Sequence, residues 1–72
     1  MYKITFKNVG PDMITAEFIS DCITMELAMG VAANRCRDLC KAEDVALVSV
    51  ESMEYIVVRD NAVVGGVTIV RQ

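Results

Sequence analysis

Only one stretch of the chain carries a helical period. In "TMELAMGVAANRCRDLC", Thr24–Cys40, apolar residues recur every three to four positions, while the segments on either side alternate or run in β-branched blocks. One helix covers one face of a sheet. Any sheet built from the remaining residues therefore keeps a second face that the chain itself does not shelter.

At the N-terminal side, "YKITFK" puts Tyr2, Ile4 and Phe6 on one face and Lys3, Thr5 and Lys7 on the other. "NVGPD" is a turn, and "MITAEFI" resumes the alternation with Ile14, Ala16 and Phe18 inward. These two segments are expected to form an antiparallel hairpin, with Lys3 or Lys7 near Glu17 on its polar outer side. Ser20, Asp21 and Thr24 are all competent N-caps, so the helix starts within Asp21–Met25 and runs to about Lys41 or Ala42. At about 100° per residue, Met25, Ala28, Met29, Ala32, Cys36, Leu39 and Cys40 form its apolar stripe. Leu27 and Val31 fall on the opposite, charged side, toward Arg35.

Beyond the helix, "VALVSVE" and "EYIVVR" read as strands, Asp60–Ala62 as a turn, and "VVGGVTIVR" as a last strand with a bulge or bend at Gly65–Gly66. The expected fold is a single α+β domain over residues 1–72. It has an antiparallel four- to five-stranded sheet, one helix packed on one face, and the order β-β-α-β-β(-β). Val45, Leu47, Tyr55, Val57, Val63 and Val64 cannot all point at that helix. Part of the outer face is expected to be apolar, or to be covered by a strand curling over it.

Composition sharpens the mismatch. Hydrophobic residues make up 54% of the 72, against about 45–50% in an average domain with Gly counted. A chain this short buries only about 60% of its unfolded surface. No apolar run approaches the length needed to cross a bilayer, and "MYKITFKNVG" has no signal-peptide core, so a cytoplasmic address is expected. Three cysteines, an odd number, make a poor disulfide framework.

Catalytic readings have little to work with. Without His there is no Ser–His or Cys–His dyad. The acidic residues Glu43, Asp44, Glu51, Glu54 and Asp60 sit at turns, where solvent-facing local bonding is their ordinary role. Gly65–Gly66 lacks the following helix and Lys of a phosphate loop. Cys36 and Cys40, four apart on one helix face, offer a thiol redox or soft-metal site. On an apolar stripe, however, cysteines act as small hydrophobes. No cofactor or metal is expected.

The net charge of −3 argues against general nucleic-acid affinity, although Arg35, Arg37 and Lys41 form one basic strip. The leading expectation is thus a small non-enzymatic protein-interaction module that self-associates. It would act as an inhibitor, adaptor or assembly subunit of the kind phages and other mobile elements encode. Its interface residues are expected to be Leu27, Val31, Arg35, Val45, Leu47, Tyr55 and Val57, through the outer face of Val45–Val64 or by pairing of the last strand as a free edge. The alternatives are a nucleic-acid binder using Arg35, Arg37 and Lys41, or thiol chemistry at Cys36 and Cys40.

Overall fold

A computed structural model of residues 1–72 contains β1 (Tyr2–Val9), β2 (Ile14–Ser20), α1 (Met25–Cys40), β3 (Val45–Glu51), β4 (Glu54–Arg59) and β5 (Ala62–Arg71). All five strands join one antiparallel sheet in the order β2-β1-β5-β4-β3. The α+β arrangement matches the sequence expectation, with five strands in place of four to five. No helix is long and apolar enough to cross a membrane.

Each element starts and stops for local reasons. Of the three candidate caps, Thr24 is the N-cap: it is extended, and its side chain accepts from the Leu27 N–H at 3.2 Å. At the other end Lys41 turns left-handed, and its N–H reaches the Arg37 and Asp38 carbonyls while Ala42 N–H bonds Arg37. Asp60 and Asn61, both at positive φ, close a two-residue hairpin between Arg59 and Ala62.

β5 is central. It lies between β1 and β4, and the chain ends meet where Gln72 N–H donates to the Met1 carbonyl at 2.8 Å. The free edges are therefore β2 and β3, and the expectation that the last strand is open at an edge is corrected. β1 pairs with β5 along Tyr2–Lys7 and takes up the backbone groups that a terminal strand would otherwise expose.

The interruption expected at Gly65–Gly66 falls one step earlier, as a register shift against Val57–Val58 that leaves Val64 between Val63 and Gly65 unpaired within one continuous strand. Gly65 sits at φ +157°, and a Cβ there would lie 2.8 Å from the Val9 Cα. Gly10, at φ +80°, tucks the first turn beneath the helix end, where a Cβ would come within 2.6 Å of the Leu39 carbonyl oxygen. Gly10 N–H also bonds the Val64 carbonyl, tying the first hairpin to β5.

The helix buries Ala28, Ala32, Cys36 and Cys40, one small residue per turn. Small side chains bring the helix close to the sheet, so the sheet supplies the volume: Tyr2, Ile4, Phe6, Val9, Val45, Tyr55, Val57, Val67 and Ile69. Met25, Met29, Val31 and Leu39 pack around this core.

Candidate functional site

Cross-strand partners share a face, so the registers define the side of the sheet away from the helix. One row reads Lys7–Gly66–Ile56–Val48, and the next Val63–Val58–Ala46. Toward β1 and β2 the same face carries Lys3, Thr5, Glu17 and Ile19, with Lys3 3.4 Å from Glu17. The open face is thus divided. Its β1 side is mixed, with Ile19 and Val70 among Lys3, Thr5 and Glu17, and its β3 side presents Ala46, Val48, Ile56, Val58 and Val63. Val48 is 44% exposed and Val63 63%.

Several expected interface residues change sides. Val45, Tyr55 and Val57 lie in the core beneath the helix, and Leu47 is half-buried against it. Their side chains are corrected to the interior, so a partner on the open face cannot reach those of Val45, Tyr55 or Val57. The physical reason is that both faces of "VALVSV" and "YIVV" are apolar. Alternation then separates two sets without saying which set faces the helix. The outward set is the complementary one, Ala46, Val48, Ile56 and Val58, and sequence reading left it out of the interface. Val64 also packs on the core, whereas Val63 points away from it. No strand curls over the open face.

On the helix, Leu27 is 53% exposed, while Val31 is half-buried against the core. They do not form an exposed pair. Arg35 lies with its guanidinium carbon 5.0 Å from the centre of the Phe18 ring, itself stacked on Phe6 at 5.9 Å. This arrangement covers an aromatic that the helix leaves partly open near β2, a favourable cation–π geometry. Arg35 and Phe18 line a groove of about 330 Å³.

The basic strip is diluted by its neighbours. Arg37 donates to Asn34 at 2.9 Å, and Arg37 and Lys41 share a shallow depression with Asp38 and Glu43. The largest cleft, about 690 Å³, lies where β1 and β5 part around the glycine bulge, with Lys7, Met13, Cys40, Arg59 and Val63 on its walls. Arg59 there is held by Asp44 at 3.1 Å and lies 4.0 Å from Asp60, so much of its charge is compensated.

Cys36 and Cys40 are both buried and unbonded, and Cys22 is half-buried. Burial pushes the Cys36 thiol up to about 12, Cys40 adds to the rise, and Arg37 opposes it. A thiol held protonated at neutral pH is a poor nucleophile and a poor metal ligand. No group of three or more Cys, Asp or Glu is placed to hold a metal ion.

No protein-family model, curated protein or solved structure matches this chain.

Proposed function

We propose that the chain is a non-enzymatic protein-interaction module that associates first with itself, at the β3 end of the sheet. The observation that carries this reading is the block Ala46, Val48, Ile56, Val58 and Val63 on the face away from the helix, of which Ala46, Val48 and Val63 are exposed and Ile56 and Val58 half-buried. Exposed aliphatic patches rimmed by charge are characteristic of protein contact surfaces. Lys7 and Glu54 stand beside the block and supply such a rim. Inhibitor, adaptor and assembly subunit remain the roles in view, since each needs a contact surface and no catalytic group.

Light scattering over a dilution series tests the reading. At tens of micromolar the wild type is expected at about twice its 7.9 kDa chain mass, and the doubly substituted Val48→Lys, Ile56→Lys chain at the single mass. A wild type that stays at 7.9 kDa throughout would remove self-association. A dimer that keeps its mass in the double variant would move the contact elsewhere, with Leu27 and the Arg35–Phe18 groove next in line.

A further inference from the structure

We infer that the second copy joins edge to edge: β3 pairs antiparallel with β3 of another chain about a two-fold axis at Leu47, forming one ten-stranded sheet. This rests on the self-association reading and specifies its geometry.

The two sheet edges are unequally guarded. Free strand edges expose a row of unpaired N–H and C=O groups, and soluble proteins protect them with charge, Pro or bulges. β2 carries Glu17, bound to Lys3. β3 runs Val45–Val50 without a charge, Pro or Gly, and its one irregularity lies between Ser49 and Glu51. Val45–Ser49 is a regular strand with nothing in the chain along its outer edge.

Area points the same way. An aliphatic patch of this kind is on the order of a few hundred Å², short of the about 800 Å² per partner of a standard interface. Face-to-face contact over these side chains alone is undersized, and main-chain pairing along a strand adds both area and directed hydrogen bonds.

The pairing is self-complementary in face. A two-fold axis at Leu47 sets Ala46 across from Val48 of the second copy, and Val45 across from its Ser49. Antiparallel partners share a face, so Val58 and Ala46 of one chain then line up with Val48 and Ile56 of the other. The aliphatic row continues across the junction, twice by symmetry. No charged residue falls within Val45–Ser49; at its ends Glu51 of each chain comes opposite Glu43 of the other, a like-charge approach that limits the pairing to this stretch.

Spin labels on the open face separate this geometry from other dimers. With Cys22→Ser removing the half-buried thiol, Ile19→Cys and Ala46→Cys are labelled in separate proteins and interspin distances measured. Edge pairing sets the two β2 strands nine strand spacings apart, about 40 Å, and brings the Ala46 labels within about 20 Å. A dimer whose Ile19 labels lie within about 25 Å would overturn the edge pairing and leave self-association standing. A wild type that is monomeric by light scattering would overturn both. If the Ala46 label itself disrupts the dimer, the Ile19 distance still decides.

Discussion

Gly30 and Gly65 differ in what surrounds them. Nothing lies within 4 Å of a Cβ added at Gly30, on the exposed side of the helix. Gly30→Ala is therefore expected to stabilise the domain by about 0.5–1 kcal/mol, through helix propensity alone. Gly65→Ala meets the Val9 backbone at a φ that L-residues rarely adopt. It is expected to cost on the order of 2 kcal/mol or more. Urea unfolding of the two variants checks both signs at once. Cys36 makes a separate prediction. Its folded pKa, about 12, lies above the ordinary 9.0. Below about pH 9 the thiol is protonated in both states and gives no pH dependence. Between 9 and 12 the unfolded chain releases the proton first, so stability falls as pH rises, by up to about 1.4 kcal/mol per unit. Cys36→Ser should flatten that slope. In native protein at pH 8, Cys22 should react with a thiol reagent well before Cys36 and Cys40, and denaturant should expose all three; rapid labelling of all three in native protein would contradict the buried placement.

At the scale of elements, the helix depends on its first turn and its small inner stripe. Thr24→Ala removes the bond to the Leu27 N–H and is expected to cost about 1 kcal/mol, read as a lowered urea midpoint. Ala32→Leu forces volume into the helix–sheet gap and is expected to destabilise by about 1–3 kcal/mol. Much of the secondary structure was legible because local signals decide it: the Lys/Thr/Glu alternation of the first hairpin, the glycine bulge, and the three capping candidates around Ser20–Thr24. Strand order was not legible, because β1 joins β5 through a pairing between residues far apart in sequence. The orientation of β3 and β4 was hidden for a different reason. With Val45 and Leu47 on one side and Ala46 and Val48 on the other, either set satisfies a core. The apolar excess was readable; which residues form it was not.

For the whole molecule, the consequence is a domain covered on one side. Its helix side is closed by Ala28, Ala32, Cys36 and Cys40, and its other side is mixed near β1 and aliphatic near β3. Self-association would link folding to concentration, since binding that requires the native state stabilises it by mass action. The thermal midpoint is accordingly expected to rise with protein concentration in the wild type and to stay constant in the Val48→Lys, Ile56→Lys chain. A midpoint that rises equally in both would place the contact away from β3.

Amide hydrogen exchange compared at the two edges reads the β3 contact most directly. In wild type at tens of micromolar, the β3 amides that β4 leaves unbonded should exchange slowly, those at the open edge of β2 rapidly, and Val48→Lys should bring the two edges to the same fast rate. Equal, rapid exchange at both edges of the undisturbed protein would mean that nothing sits against β3.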